Sequence, residues 1–291
     1  MTKKVSPNQT VLTLETTVAR ADALAAEVEA RLHRPVVQLQ RPDADQVWLE
    51  IYFDQEVEAL LAQRALARQP GVVGSGLRGC AARDWQSFWK HHFHAHNVGQ
   101  RLRIVPVWES RTDRAAGRVR LLLDPGLSFG TGEHFTTRFC LESLDRLCRP
   151  PRRPASMLDV GTGSGILALA AVKLGVRRVV AYDNDAQALV HAKANLRRNG
   201  VLAKVKVGVH DVLQDPKPGR FDVVCANIYG RILMEAAPAL ARCVGRYLIL
   251  SGLREHELDG VAEAYQSLGG HEVARDGDGQ WGGLVLEWTP S

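Results

Sequence analysis

The sequence predicts an α/β protein: a mostly parallel, doubly wound sheet preceded by a smaller α+β domain. Three observations lead to this prediction. From residue 156 onward, short apolar runs alternate with amphipathic stretches of helical length, the order expected of a parallel sheet covered by helices. A glycine-rich turn at 161–165 separates one such run from the next helix. The first part of the chain, up to residue 80 or so, has a β-α-β-β-α-β order of its own.

The N-terminal stretch has the element order of a split βαβ, or ferredoxin-like, unit. Alternating apolar residues predict its strands, helically spaced apolar residues predict its helices, and Pro70-Gly71 marks a break before the last strand. The predicted strands cover 11–14, 36–39, 47–53 and a segment opening at Val72, and the predicted helices cover 19–32 and a segment from a cap at Asp54 to Ala67. We expect a binding or docking module, because no catalytic pattern lies in it.

A connector follows, with a predicted helix at 84–93 and a strand near 103–107. Four histidines lie between 91 and 96. A metal site is one interpretation, but no cysteine or carboxylate lies within the cluster, and neighbouring histidines on a helix point in different directions. We therefore interpret the cluster as part of a solvated connector. The predicted boundaries are a ferredoxin-like domain at 1–82, the connector at 83–102 and the α/β domain at 103–291.

The α/β domain alternates strand and helix and closes with a turn-rich antiparallel hairpin. The predicted strands cover 157–160, 178–182, 204–209, 221–226 and 247–251, followed by hairpin strands at 271–275 and 283–288. The predicted helices cover 138–147, 165–174, 185–199, 232–244 and 254–268.

The composition is ordinary for a soluble globular protein: 45% hydrophobic and 24% charged residues in a chain of 291. No run approaches the length of a membrane span and no apolar signal core follows the first residues, so we expect a cytoplasmic protein without a membrane partner. The five cysteines are scattered and form no C-x-x-C pair, which argues against a disulfide framework or a cysteine zinc site. The net charge of +5 permits an acidic partner without requiring one, and the basic segment 149–154 is interpreted as a solvated linker.

The segment 159–165 reads D-V-G-T-G-S-G and lies between a predicted strand and a predicted helix. Glycines such as Gly161 and Gly163 let the backbone turn sharply and approach a ligand closely, and a helix start favours a nucleotide-type ligand. The spacing is not a dinucleotide fingerprint, whose third glycine would fall on Ile166. The D-x-G-x-G-x-G spacing instead resembles motif I of the class I S-adenosylmethionine methyltransferases.

Asp183 ends the second predicted strand, 22 residues after Gly161. A carboxylate there can accept hydrogen bonds from both hydroxyls of a ribose that lies over the glycine turn. The alternative is a structural glycine turn beside a capping aspartate, but Asp185 already explains the cap of the next helix.

Two further polar residues follow strands of the same predicted sheet. Asp211 could hydrogen-bond an adenine amino group, although an aspartate after a strand is equally well a turn residue. Asn227 follows the fourth strand beside the expected topological switch, where an amide oxygen can accept from an incoming amine and direct its lone pair at a methyl group. A turn asparagine is the alternative. An Asn-Pro-Pro-Tyr signature, typical of adenine and glutamine amide methylation, is absent.

Upstream, the segment 123–137 reads L-D-P-G-L-S-F-G-T-G-E-H-F-T-T and is predicted as a loop before the helix at 138–147. This segment is similar to the D-P-G-L-A-F-G-T-G-T-H-P-T-T stretch of the PrmA family, the methyltransferases of ribosomal protein L11. The resemblance extends to Asp84-Trp85 with Trp89, to 161–168, to 226–228 and to 250–253, and it covers about residues 46 to 291 in motif order. Glu133, Phe135 and Tyr229 depart from the family pattern, as does the basic connector before residue 156.

The resemblance implies a class I methyltransferase fold and an S-adenosylmethionine-dependent N-methyltransferase that modifies lysine ε-amines, and an α-amine, of ribosomal protein L11, free or in the large subunit. Its cofactor contacts fall on Thr137, Gly161, Asp183 and Asn227. The glycine-turn argument adds Gly163, and the strand-end argument adds Asp211. Asn227 is the expected catalytic residue. The N-terminal domain would recognise the substrate. We expect a monomer without direct nucleic-acid readout.

Two alternatives remain open at this point. The chain could methylate lysines of another protein, such as an electron-transfer flavoprotein subunit, because related enzymes share the catalytic fold. It could also be a ribosome- or RNA-binding factor with a vestigial cofactor site, although the glycines, Asp183 and Asn227 are all present.

Overall fold

The computed structural model describes residues 9–32, 34, 36–40, 45–53, 55–80, 93–114, 117–125, 132–151, 153–214 and 219–289. The chain divides into two compact units, Met1–His92 and Phe93–Ser291, at a point inside the predicted connector. Most of the predicted connector helix, including His91 and His92, lies outside the described residues. Phe93, which is described, is buried and not helical.

The N-terminal unit is a sheet with two helices in the predicted β-α-β-β-α-β succession. Its elements are β1 (Gln9–Thr17), α1 (Val18–Leu32), β2 (Val36–Gln40), β3 (Gln46–Phe53), α2 (Glu56–Leu66) and β4 (Gly74–Cys80). Within the described residues these strands form an antiparallel sheet of four in the order β2-β3-β1-β4. Side chains two positions apart along a strand point to the same face of the sheet. In this sheet the buried face includes Leu12 and Leu14 of β1 and Leu49 and Ile51 of β3, which share one apolar core with Leu24 of α1.

Two N-terminal details differ from the sequence prediction. The Pro70-Gly71 turn continues through Val72, whose N–H donates to the Gln69 carbonyl, so β4 begins at Gly74. Gln55 rather than Asp54 occupies the cap position of α2, and its side chain makes no capping hydrogen bond. Asp54 itself lies outside the described residues.

The C-terminal unit contains the predicted strand–helix alternation. Its strands are β5 (His96–Val98), β6 (Leu102–Pro106), β7 (Val119–Leu123), β8 (Ser156–Val160), β9 (Arg178–Asp183), β10 (Val205–Val209), β11 (Phe221–Asn227), β12 (Val244–Arg254), β13 (His271–Gly277) and β14 (Trp281–Glu287). Its helices are α3 (Phe135–Leu147), α4 (Ile166–Lys173), α5 (Ala186–Arg198), α6 (Gly230–Glu235), α7 (Ala237–Cys243) and α8 (Leu258–Gln266).

The large sheet confirms the predicted parallel sheet with a terminal hairpin. Among the described residues, seven strands are ordered β10-β9-β8-β11-β12-β14-β13. The first five are parallel, whereas β14 runs antiparallel to both β12 and β13. The central strands are buried along most of their length, and α4 is apolar on every side, with 166–172 all buried. The core therefore surrounds the strand–turn–helix that contains the glycines.

A small sheet was not predicted. In the part of the chain that the structure describes, β5, β6 and β7 form a sheet of three in that order, with β6 and β7 parallel. The sequence analysis predicts only β6. A three-residue β5 is too short for an alternation, and β7 directly precedes the segment predicted as a loop, sharing only Leu123 with it.

Three predicted helices have different limits in the structure. α3 begins at Phe135 instead of residue 138, which places Thr136 and Thr137 in its first turn instead of in a loop. The predicted helix 232–244 is two helices, because Pro238 lies in the first turn of α7 and has no N–H to continue the preceding helix. The predicted helix 254–268 begins only at Leu258, since β12 extends to Arg254.

The cysteines whose side chains the structure describes, Cys140, Cys148, Cys225 and Cys243, are buried free thiols. None of the described helices combines the length and the apolar character that crossing a membrane requires.

Candidate cofactor and catalytic site

The predicted site residues lie where parallel strands of the large sheet end. β8 is the switch point, because β9 pairs with one of its edges and β11 with the other. Val160, the last residue of β8, is level with Tyr182 of β9 and Ala226 of β11. The ends of these parallel strands therefore meet at one edge of the sheet, where open α/β sheets usually have their ligand crevice.

The glycine turn connects β8 to α4 with left-handed backbone at three positions. Gly161, Gly163 and Gly165 have φ values of 68°, 52° and 81°. A Cβ on Gly161 would lie 2.4 Å from Cγ2 of Ile228, so only glycine lets the turn approach the end of β11. The N–H groups of Gly161 and Thr162 donate to the Tyr182 carbonyl at 2.9 and 3.0 Å. The turn is thus held against β9 and β11 together.

Asp159 stabilises this turn from inside. Its Oδ2 accepts from the Thr162 hydroxyl at 2.6 Å and from the Ala168 N–H at 3.1 Å. Complete burial raises the pKa of this carboxyl to about 7, although both hydrogen bonds favour the charged form. The carboxyl therefore titrates in the neutral range instead of being a permanent anion.

Asp183 lies directly beside the glycine turn. Its Oδ2 accepts from the Gly163 N–H at 2.9 Å, and its Oδ1 accepts from the Asp185 N–H at 3.0 Å. Each carboxylate oxygen retains a second lone pair, so the half-buried side chain can still accept from two hydroxyls of a ligand. Asp185 caps α5 by accepting from the Gln187 N–H at 2.8 Å, as predicted.

Asp211 lies on the same side of the sheet but is held in a local turn. β10 ends at Val209, which is level with Asp183, and the His210 N–H donates to the Asp183 carbonyl at 2.9 Å. Oδ1 of Asp211 accepts from the Leu213 N–H at 2.9 Å. This is the turn interpretation that the sequence left open, and it occupies one of the oxygens while leaving the other for a ligand.

The start of α3 brings Thr137 to the crevice. His134 is the N-cap: its Nδ1 accepts from the Thr136 N–H at 3.3 Å and lies 2.8 Å from the Thr136 hydroxyl. Its ring meets Trp281 edge-on, with centroids 5.1 Å apart. Burial lowers the pKa of His134 below its usual value of 6.5, so the cap is neutral at pH 7.

Asn227 is the last residue of β11, and its amide contacts Thr137. Nδ2 of Asn227 lies 3.4 Å from the Thr137 hydroxyl oxygen, a contact between residues 90 positions apart in the chain. Oδ1 is buried and accepts no hydrogen bond from the residues that the structure describes. The arrangement leaves the amide oxygen as an acceptor at the strand end.

The structure also identifies a site-region residue that the sequence analysis did not select. Asn195 of α5 is buried and donates to the Ser164 carbonyl of the glycine turn at 3.0 Å. The only sequence signal is an unusual pair, Asn195 and Asn199, one turn apart in a helix where asparagine is disfavoured. Glu133 and Tyr229, which depart from the family pattern, are exposed.

Part of the histidine cluster is described. His94 Nδ1 lies 2.8 Å from Glu109 Oε1. Among the described residues no group of three or more histidine, cysteine or carboxylate side chains has the arrangement of a metal site.

These residues fit the nucleoside sulfonium cofactor that the motifs predict. The glycine turn allows close approach, Asp183 has lone pairs facing the turn, and the buried acceptor of Asn227 stands at the neighbouring strand end. Five of the six predicted site residues are therefore in direct contact or adjacent to one another: Thr137, Gly161, Gly163, Asp183 and Asn227. Asp211 is linked to them only through the end of β10, where the His210 N–H donates to the Asp183 carbonyl.

The sequence is similar to those of known proteins. Residues 6–287 match the family model described as ribosomal protein L11 methyltransferase (PrmA). The ribosomal protein L11 methyltransferase of Syntrophotalea carbinolica is 40% identical over 243 residues, which cover 78% of each chain. That of Pelobacter propionicus is 39% identical over 253 residues, covering 81% of this chain and 80% of the relative.

A solved structure is also similar. The crystal structure of a ribosomal protein L11 methylase from Lactobacillus delbrueckii subsp. bulgaricus superposes with a TM-score of 0.59 at 31% identity. The match covers 67% of this chain and 97% of that one.

Proposed function

Because the chain belongs to the PrmA family of ribosomal protein L11 methyltransferases, we propose that its crevice transfers methyl groups from S-adenosylmethionine to lysine ε-amines, and to the N-terminal α-amine, of ribosomal protein L11. The chain is an S-adenosylmethionine-dependent protein methyltransferase by family and by fold.

The observation that carries the proposal is the buried amide oxygen of Asn227. The cofactor supplies its methyl group on a sulfonium, which is already an activated electrophile. The oxygen of Asn227 then accepts an N–H of the incoming amine and so directs the nitrogen lone pair. Thr137 supports this by engaging Nδ2, which keeps the oxygen, and not the NH₂ group, turned to the substrate.

Asp183 and the glycine turn would hold the nucleoside part. Gly163 donates to Oδ2 of Asp183, which orients the carboxylate across the turn. Asp211 is the proposed adenine contact through the oxygen that its turn leaves available. Both assignments rest on carboxylate oxygens that can accept hydrogen bonds from a ligand and that lie at the ends of neighbouring parallel strands, where open α/β sheets bind their ligands.

The amine must react in its neutral form. A lysine with an ordinary pKa near 10.4 is mostly protonated at pH 7, so presenting it neutral costs about 5 kcal/mol. Desolvation in the crevice would lower that pKa, because burial disfavours the charged amine. The Asn227 oxygen would then orient the amine by accepting one of its N–H groups. No residue among those described is assigned as a dedicated general base.

We further propose that the N-terminal unit is the ferredoxin-like module that holds ribosomal protein L11, and that the enzyme acts as a monomer. The β-α-β-β-α-β succession and the order β2-β3-β1-β4 support the fold of this module. Sedimentation of the purified chain checks the monomer, and methylation assays on free L11 and on large subunits determine which state is the substrate.

The central test measures methyl incorporation from labelled S-adenosylmethionine into purified L11. We expect Asn227→Ala to abolish incorporation and Asp183→Ala to weaken cofactor binding by about tenfold or more, as expected for loss of charge-assisted hydrogen bonds. Asn184→Ala, at an exposed position beside Asp183, is the matched control and should retain activity. The substrate claim fails if the intact chain binds the cofactor, leaves L11 unmodified and modifies RNA.

A further inference from the structure

Two asparagines, Asn195 of α5 and Asn199 at the C-cap of the same helix, hydrogen-bond to the backbone at the end of β7. Asn199 accepts from the Leu122 N–H at 3.0 Å and donates to its carbonyl at 2.7 Å. Asn195 accepts from the Asp124 N–H at 3.0 Å and donates to its carbonyl at 3.2 Å. Four residues of a helix rise about 6 Å, and two residues of a strand rise about 6.6 Å. The two amides are therefore spaced like alternate residues of a strand, and they satisfy the backbone N–H and carbonyl groups that a neighbouring strand would otherwise bond.

Asn195 makes one contact that Asn199 does not. Its Nδ2 also donates to the Ser164 carbonyl at 3.0 Å, between Gly163 and Gly165 of the glycine turn. The side chain is only 1% exposed. A single buried amide therefore joins α5, the glycine turn and the backbone of residue 124, directly after β7.

The hydrogen-bonding capacity of Asn195 is fully used. Its NH₂ group donates to the carbonyls of Asp124 and Ser164. Its oxygen accepts from the Asp124 N–H and, at 3.4 Å, from the Arg198 guanidinium. No other side chain of this size donates twice and accepts as well. The glycine turn packs closely against α5, and this packing needs glycine at 165. A Cβ there would lie 3.1 Å from Ala192, which precedes Asn195 by about one turn of the helix.

We propose that Asn195 is a positioning residue for the cofactor site, which holds the glycine turn in place against α5 and the backbone of residue 124 at the end of β7. The inference rests on the proposed function in that the crevice binds S-adenosylmethionine. Asn195 would act through the backbone of Ser164 and Asp124, without touching the cofactor. Loss of its donors would release the Ser164 carbonyl and loosen the glycine turn, which would lower affinity for the cofactor while leaving Asn227 and Thr137 in place.

The first test compares Asn195→Asp with Asn199→Asp in the full chain. Each aspartate keeps the acceptor and loses the donors, but only the first breaks the bond to the glycine turn. We expect Asn195→Asp to raise the calorimetric Kd for S-adenosylmethionine, and the KM for it, by about tenfold, which is the loss of one buried hydrogen bond. We expect kcat at saturating cofactor to stay within about twofold of wild type, since the reacting groups are unchanged.

Asn199→Asp should lose less stability than Asn195→Asp, because Asn199 is only half-buried. It should bind the cofactor within about twofold of wild type, because Asn199 has no contact with the turn. Equal Kd values for Asn195→Asp and wild type, or equal weakening in both variants, overturn the proposal.

Hydrogen exchange on the wild-type chain covers the case in which Asn195→Asp does not fold. Cofactor binding should slow exchange in a peptide spanning 117–125 together with the turn at 161–165. Protection of the turn without any change at 117–125 overturns the inference. A wild-type chain that binds the cofactor but does not methylate L11 removes only the proposed substrate, whereas one that binds no cofactor removes both proposals.

Discussion

At the scale of single residues, Gly161 shows why the turn sequence is so restricted. Its φ of 68° is a conformation that a side chain disfavours, and its missing Cβ makes room for Ile228. Gly200, after α5, has a φ of 69°, but a Cβ added there would have nothing within 4 Å. An alanine at either position would strain the backbone, but only an alanine at 161 would also clash with a neighbouring side chain. Comparing the two substitutions therefore distinguishes the effect of strain from that of the clash.

We expect Gly161→Ala and Gly200→Ala each to lose about 1–2 kcal/mol of unfolding free energy from left-handed strain. Only Gly161→Ala should also displace Ile228 and the adjacent Asn227, and so reduce methyl transfer by about tenfold or more, because misplacement of a reacting group is costly. Denaturant unfolding and labelled methyl incorporation measure the two effects. Equal activity of both variants would contradict the steric role of Gly161.

Asp159 predicts a pH dependence of stability. In the unfolded chain its carboxyl has the ordinary pKa of 3.8, and burial raises the pKa to about 7. The folded protein then holds the proton more tightly, so this contribution to stability is full below pH 4 and is lost as the pH rises through 7.

Asp159→Asn keeps a neutral side chain at every pH. We expect the unfolding free energy of wild type, minus that of the variant, to fall by about 4 kcal/mol between pH 4 and pH 8. Denaturant unfolding across this range measures the difference. Parallel curves for the two proteins would contradict the raised pKa.

At the scale of elements, the beginning of α3 matters most for the site. The sequence predicts a loop through Thr137, but His134 caps a helix that starts at Phe135 and puts the Thr137 hydroxyl against Asn227. A histidine cap is hard to predict from sequence because serine, threonine, aspartate and asparagine are the usual capping residues.

We expect His134→Ala to lose about 1 kcal/mol of stability and part of the methylation rate, because the first turn of α3 loses its cap. His134→Asn should recover most of both, since its amide oxygen can accept the same N–H. Thermal unfolding and the methylation assay distinguish the variants. If alanine and asparagine are equally impaired, packing against Trp281 and not capping explains the role of His134.

At the scale of the whole molecule, the described residues form a separate apolar core in each unit. One core lies between the four-stranded N-terminal sheet and its helices, and another surrounds the large parallel sheet. The predicted site residues all belong to the C-terminal unit. If the two units are produced as separate fragments, we therefore expect the C-terminal fragment to keep cofactor binding and to lose substrate docking.

We expect a fragment of residues 93–291 to bind S-adenosylmethionine within about twofold of the full chain, because its core and crevice are its own. Methylation of L11 by this fragment should fall strongly if the N-terminal unit holds the substrate. Calorimetry and labelled transfer measure the two properties, and thermal unfolding checks that the fragment is folded. A fragment that methylates L11 as fast as the full chain would exclude the docking role.

The parallel sheet, its terminal hairpin, the glycine turn and the strand ends that carry Asp183 and Asn227 could all be predicted from the sequence. These features are local, because apolar periodicity and glycine spacing act within a few residues. The contact of Thr137 with Asn227 across 90 positions, and that of Asn195 with Asp124 across 71, emerged only in the folded chain. Such contacts depend on how helices pack on the sheet, and no local pattern in the chain specifies which distant polar groups then meet.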